Sequence, residues 1–265
     1  MADLSDDDLA ENLALSLFNE SLWTINDGGN NTVIYELDTT GSIIREVYVE
    51  GVNNIDWEAV TQNESHLFIG DFGNNSGGRQ DLNIIKINKS DLLNNISDTV
   101  FGQTLFFKYS DQDDFSGPTN AHNYDCEAFI ATTDSLYLFS KNWQNQEVRK
   151  YALPFEWAGE YEAVYTESHN VGGLITDATI DPISNRIVLL GYYDLGPGIY
   201  NSFVWMLWDY SSGNVFSGNK RKLEIGNMLT LGQTEGICLR PSSLRGYISS
   251  EQISSLITIP PKLFT

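Results

Sequence analysis

The sequence predicts an all-β fold, a β-propeller of five blades with mostly four antiparallel strands each, six blades being the alternative. Three observations lead there. First, nearly every segment is a short β-type run bounded by Gly, Asn, Asp or Ser, as in Thr32–Asp38, Ser42–Val49, His66–Asp71, Leu82–Asn88 and Leu105–Tyr109. Second, an acid-led motif recurs: Asp56-Trp57-Glu58-Ala59-Val60, Asp125-Cys126-Glu127-Ala128-Phe129, Thr176-Asp177-Ala178-Thr179-Ile180 and Thr234-Glu235-Gly236-Ile237, with a weaker copy at Glu11-Asn12-Leu13-Ala14. Its spacing is near the roughly 40–50 residues of a four-stranded blade with its loops. Third, each copy is followed at an even offset by an apolar run with a polar end, as in Leu22–Asp27, Leu67–Asp71, Leu136–Lys141, Ile187–Tyr192 and Gly246–Glu251. A hairpin repeated around a ring explains that regularity.

Taken in chain order, the first element is contested. Asp6, Asp7 and Asp8 after Ser5 form a helix-start signal that could continue through Leu9–Phe18. The competing expectation is that Asp3–Asp8 donates a strand to the last blade, which runs out near Ile257–Ile259, so that the ring closes without an exposed sheet edge. Between these ends, turn chemistry falls to pairs such as Asp27-Gly28, Gly77-Gly78 and Ser212-Gly213. No linker interrupts the pattern, and residues 1–265 read as one domain.

Composition narrows the function classes. The net charge of −21 has the wrong sign for gripping a nucleic-acid backbone or an anionic membrane. No apolar run approaches the roughly 18 residues of a membrane helix. Cys126 and Cys238 have no zinc spacing and read as small buried hydrophobes. Met1-Ala2-Asp3 opens no signal peptide, yet high acidity, low Lys and several Asn-x-Ser/Thr triplets point to an extracellular or periplasmic location, and the chain is expected to be a monomer.

In a propeller the repeated acids Glu11, Glu58, Glu127, Asp177 and Glu235 converge on the axis. Two unit charges about 6 Å apart repel by roughly 3 kcal/mol at an effective dielectric near 20. Such a ring keeps some protons or holds a cation, and oxygen ligands without His or Cys select Ca²⁺. The alternative is that each acid caps its own strand through backbone N–H groups. Asp56 and Asp125, two positions before a repeat Glu, share its pleat face and could ligate or orient it. Around this site the second-strand ends form a rim of Asp27, Asp71, Lys141, Tyr192 and Glu251. Asp71 lies in the glycine-flanked loop Gly70–Asn75, which reads equally as a tight turn. Lys141 with Trp143 offers a cation and a stacking plane, or else a solvated lysine beside a core tryptophan. Of the histidines, only His122 falls near the site. Asp111–Asp114 lacks the glycine and terminal Glu of an EF-hand loop.

The run Leu22–Asn30, together with Asp56–Ala59, Ile69–Asn75, Asp125–Phe129 and Gln233–Ile237, resembles exported propellers related to the SdiA-regulated and phytase-like families, from about Glu11 to Glu251. The resemblance implies a propeller with calcium near its axis. Propeller phytases also cluster Lys and Arg around phosphate, whereas here only Lys141 and Arg79 fall near the repeated strands. The expected function is a calcium-locked module binding a small molecule, glycan, peptide or surface component at the channel mouth. The alternative is a hydrolase at the same mouth: a metal-dependent phosphoesterase, or a glycoside hydrolase using Glu58 and Glu127. There is no Gly-x-Ser-x-Gly elbow and no Walker loop.

Overall fold

A computed structural model describes residues 1–4, 6–94, 96–156, 159–196, 198–254 and 258–265. Ser5 and Ile257, each part of an expectation above, lie outside the described residues. β1 (Ala2–Asp3) precedes a 3-10 turn at Asp7–Leu9. β2 (Asn12–Phe18), β3 (Ser21–Asn26), β4 (Val33–Leu37) and β5 (Ile43–Glu50) then form an antiparallel meander. The helix signal therefore yields only one 3-10 turn. Asn12–Phe18 is taken by the sheet because Leu13 to Ser16 are buried on both faces, between the neighbouring inner strands and the core.

The second meander is β6 (Trp57–Gln62), β7 (His66–Asp71), β8 (Asn83–Asn88) and, after a detour, β10 (Gln103–Tyr109). On that detour β9 (Thr99–Phe101) pairs in parallel with β5. The third is β11 (Cys126–Ala131), β12 (Ser135–Ser140), β13 (Glu147–Pro154) and β14 (Glu160–Asn170). β14 pairs in parallel with β10, which joins the second and third meanders into one eight-stranded, nearly closed sheet. β15 (Leu174–Asp181), β16 (Arg186–Asp194), β17 (Tyr200–Trp208) and β18 (Asn219–Asn227) make the fourth. In the last, β19 (Gln233–Leu239) and β20 (Gly246–Glu251) are followed by a short pair, β21 (Ile253–Ser254) with β22 (Thr258–Ile259), and by β23 (Lys262–Phe264). β1 pairs with β23, Ala2 opposite Leu263, so the N-terminus supplies the outermost strand of the final unit, but through Ala2–Asp3 and not Asp3–Asp8, of which Asp7 and Asp8 lie in the 3-10 turn.

The first strands of the units pack in a closed cycle: β2 against β6, β6 against β11, β11 against β15, β15 against β19, and β19 against β2. This arrangement is all-β and propeller-like. The wedges between units are filled by apolar side chains such as Trp23, Trp57, Phe72, Phe129 and Phe203, all fully buried. Each contributes roughly 1.5–3 kcal/mol or more by leaving water. Both cysteines are free and buried, as expected. No described helix is long and apolar enough to cross a membrane.

Candidate functional site

Every inner strand carries a register shift at the same end. The shift falls between Trp57 and Ala59, between Cys126 and Ala128, between Ile175 and Asp177, between Thr234 and Gly236, and between Asn12 and Leu15. A bulge inserts an unpaired residue and re-aims its side chain. The bulged residues are Glu58, Glu127, Thr176 and Glu235, with Leu13 and Ala14 spanning the shift in β2. Three of the five expected axial acids therefore occupy equivalent positions, and two do not.

Asp177 is one residue past the bulge. Its carboxylate is fully buried and accepts hydrogen bonds from Ala178 N–H (2.7 Å) and Ile237 N–H (2.6 Å), so it caps the neighbouring strand instead of joining a cation site. Glu11 precedes β2, is exposed, and accepts from Asn30 Nδ2 at 2.8 Å. A shift of one residue along a strand exchanges its faces, which takes Asp177 off the axis, whereas Glu11 lies before β2, two residues ahead of the bulge at Leu13 and Ala14.

The mouth is instead completed by Asp56 and Asp27. Carboxylate oxygens of Asp27, Asp56 and Glu58 lie within 4.8 Å of one another, Glu58 buried and the two Asp half-buried. Two glycines allow this. A Cβ on Gly28 would stand 2.5 Å from Asp56 Oδ1, and one on Gly73 would overlap Asp56 Oδ2 and Glu58 Oε1. Gly73 N–H also donates to the Asp56 carbonyl at 3.2 Å. Any larger residue at either place would fill the space between the carboxylates.

Asp71 shapes the cluster from behind and is buried. Its carboxylate accepts from Asp56 N–H (3.0 Å), Arg79 Nη2 (3.0 Å) and Asn83 Nδ2 (3.2 Å). Arg79 reaches on to the Gly73 carbonyl at 3.0 Å, tying the glycine loop to β7. Asp71 is thus a brace, and the rim position equivalent to Asp27, Lys141, Tyr192 and Glu251 is taken by the buried Phe72. Asp125, fully buried, accepts from Asn74 N–H (2.8 Å), Cys126 N–H (3.1 Å) and Trp143 Nε1 (2.7 Å), so it latches the second unit to the third. His122 is also structural: Nδ1 accepts from Tyr124 N–H (3.1 Å), which leaves Nε2 to donate to the Asn75 carbonyl (2.9 Å).

Lys141 is the surprise of the rim. It is buried, its ammonium bonds both oxygens of Glu127, and it lies 5.2 Å from the Trp143 ring and 5.5 Å from the Tyr192 ring. Nothing in a linear sequence pairs it with Glu127, although both follow the repeat. Beyond it, Glu235 accepts from Gln233 Nε2 at 2.6 Å, and the half-buried Glu251 stands nearby.

The electrostatics follow from this crowding. Burial first, then Glu127, Asp27, Asp125 and Asp56, hold the Glu58 carboxyl well above the usual range. Burial and then Asp27 push Asp56 to about 6, against the pull of Arg79. Glu251 is raised to about 8 by burial and then by Glu235. Burial also raises Asp27 and Glu235. For Lys141 burial opposes the charge, but Glu127 and its neighbours outweigh it and keep the ammonium protonated. The Asp27, Asp56 and Glu58 group is left with excess negative charge and with no ammonium or guanidinium hydrogen-bonded to it among the described residues.

Fold and site together define an all-β, propeller-like protein with an acidic, glycine-lined channel mouth. No family model and no curated protein matches the chain. Similar solved structures include the crystal structure of a mitotic checkpoint complex, at 12% identity and TM-score 0.40, over 89% of this chain and 57% of that one. A hypothetical selenium-binding protein from Sulfolobus tokodaii matches at 11% identity and TM-score 0.41, over 91% and 59%. A candidate 6-phosphogluconolactonase from Bacteroides uniformis matches at 10% identity and TM-score 0.37, over 89% and 76%. The chain thus spans less than two thirds of the first two proteins. At such identities and TM-scores the likeness carries nothing about activity or ligand.

Proposed function

We propose that the chain is a five-bladed propeller whose channel mouth binds a divalent cation, Ca²⁺, through Asp27, Asp56 and Glu58, and that it serves as an exported ligand-binding module. The observation that carries this reading is the packing of three carboxylates within 4.8 Å against glycine backbone. Hard oxygen donors without a nearby thiolate or imidazole suit Ca²⁺, which takes six to eight oxygens, so waters and an incoming ligand would complete the shell. Outside the cytoplasm an affinity of about 10⁻⁴–10⁻³ M suffices for such a module.

Binding is favoured over glycoside hydrolysis by one feature. Glu127, the partner of Glu58 in a two-carboxylate mechanism, is bonded by Lys141 on both oxygens, a pairing that ties up the side chain a glycosidase would aim at the leaving group. The rings of Trp143 and Tyr192 beside the site offer stacking planes for a glycan or similar ligand.

Titration calorimetry with CaCl₂, after EGTA treatment and dialysis, tests the cation site. The expected result is one saturable event per chain that is lost in Asp56→Asn/Glu58→Gln, with the wild-type melting temperature rising several degrees in calcium. Absence of binding heat, together with a melting curve indifferent to calcium and EGTA, overturns the reading.

A further inference from the structure

The seam between the fourth and fifth units differs from every other. β17 and β18 run nine residues each, whereas β23, the third strand of the fifth unit, has three. A face of the fourth unit is therefore left uncovered. Val204 pairs with Leu223 and Met206 with Arg221, which puts them on one side of the sheet; Ile225 joins them, and Met206, Leu223 and Ile225 stay only half-buried. Opposite stand Ile237 and Leu239, and between the two faces lies a cavity of about 800 Å³. Sites of about 300–1,000 Å³ hold small organic ligands.

Arg240 and Arg245 also line this groove. Arg240 N–H donates to the Arg245 carbonyl at 2.9 Å, so the two residues face each other across the β19–β20 turn. The Arg240 guanidinium lies 5.0 Å over the Tyr247 ring and donates to its hydroxyl. Neither arginine forms an ion pair with a described carboxylate, in a chain whose net charge is −21. An apolar floor bordered by two guanidinium groups that make no ion pair with a described carboxylate is complementary to one kind of molecule, an apolar chain ending in an anion.

We propose that this groove binds an aliphatic carboxylate, its chain lying on Met206, Leu223 and Ile225 and its head group at Arg240 and Arg245. The site is separate from the acidic mouth and does not depend on the cation reading.

Calorimetric titration of the whole chain with hexanoate, octanoate, decanoate and decanol tests it. Affinity should rise about tenfold for each two-carbon extension, as buried methylenes contribute about 0.8 kcal/mol each. Decanol should bind at least tenfold more weakly than decanoate. Arg245→Glu should weaken decanoate about tenfold with an unchanged melting temperature, while Ile225→Trp, which fills the groove, should abolish binding. No saturable decanoate binding, equal affinity for decanol, or indifference to Arg245→Glu overturns the proposal. A concentration-dependent dimer that Leu223→Lys dissociates, and that decanoate leaves intact, also overturns it by assigning the groove to a second copy of the chain.

Discussion

The first three units and the last two close the same ring by different means. Among the first three, outer strands cross from one unit to the next: β9 pairs with β5, and β14 with β10. Asp125 adds a buried latch from Asn74 to Cys126 and Trp143, and one apolar cluster runs continuously from Trp23 to Leu153. No described strand pair joins the fourth unit to either neighbour. Its contact with the fifth is a small apolar cluster around Val188, Leu190, Val204 and Ile237, supported by side-chain bonds from Thr176 to Thr234 and from Thr234 to Ser202, and by the Asp177 carboxylate, which accepts from Ile237 N–H. The rigid half holds Asp27, Asp56, Glu58 and the Lys141–Glu127 pair. The half without strand crossings holds the open groove. Closely spaced carboxylates need a frame that resists their repulsion, whereas a groove needs faces that can part.

The largest effect should come from breaking the charge pair in the rigid half. Lys141→Met leaves Glu127 buried and unpaired, and should cost about 3–5 kcal/mol in urea denaturation, with most of it recovered in Lys141→Met/Glu127→Gln. Recovery of nothing in the double variant would show that Lys141 acts through packing alone.

Next in size is the latch. Asp125→Ala strips the acceptor from two buried backbone N–H donors and from the half-buried Trp143 indole, and should cost roughly 3 kcal/mol, whereas Thr234→Val in the other half should cost about 1 kcal/mol. Equal losses would erase the distinction between the halves. Core truncations sharpen it further: Ile85→Ala, fully buried, should cost about 2–5 kcal/mol, against about 1 kcal/mol or less for Ile225→Ala beside the groove.

A pH series on calcium-free protein, compared with the same series on Asp56→Asn/Glu58→Gln, reports on the mouth. Asp56 and Glu251 titrate higher in the folded chain, about 6 and about 8, than their ordinary 3.8 and 4.5. The folded state therefore binds more protons than the unfolded chain between those limits. Stability in EGTA should rise as pH falls from about 8 toward 4, and calcium affinity should fall over the same range. A flat profile would mean that the carboxylates are not crowded in solution. The smallest signal is kinetic: in hydrogen exchange, amides along β10 and β14 should outlast those of β18, and the reverse order would invert the assignment of the rigid half.

Much of this was legible along the chain. Strand runs, turn pairs and the recurring acid-led motif followed from local pattern; strand donation by the N-terminus followed from ring closure, though on Ala2–Asp3 and not on Asp3–Asp8. Glu58, Glu127 and Glu235 were found because each begins an apolar run at an even offset, and Asp56 was recognisable as sharing a face with Glu58. Asp177 and Glu11 were misread because the repeat aligns acids, while the sheet aligns bulges. Thr176 and Leu13 hold the corresponding bulge positions without an acid.

By itself the sequence determined that short amphipathic strands would fold back in repeated meanders, since hydrophobic alternation and turn residues act over a few neighbours. Only the tertiary structure decided which carboxylates meet, that Lys141 neutralises Glu127 and not the Asp27–Asp56–Glu58 group, and that a groove opens between the last two units. Those outcomes depend on bulge register and on strand lengths in units far apart along the chain. A single-residue slip changes which side chain reaches the axis.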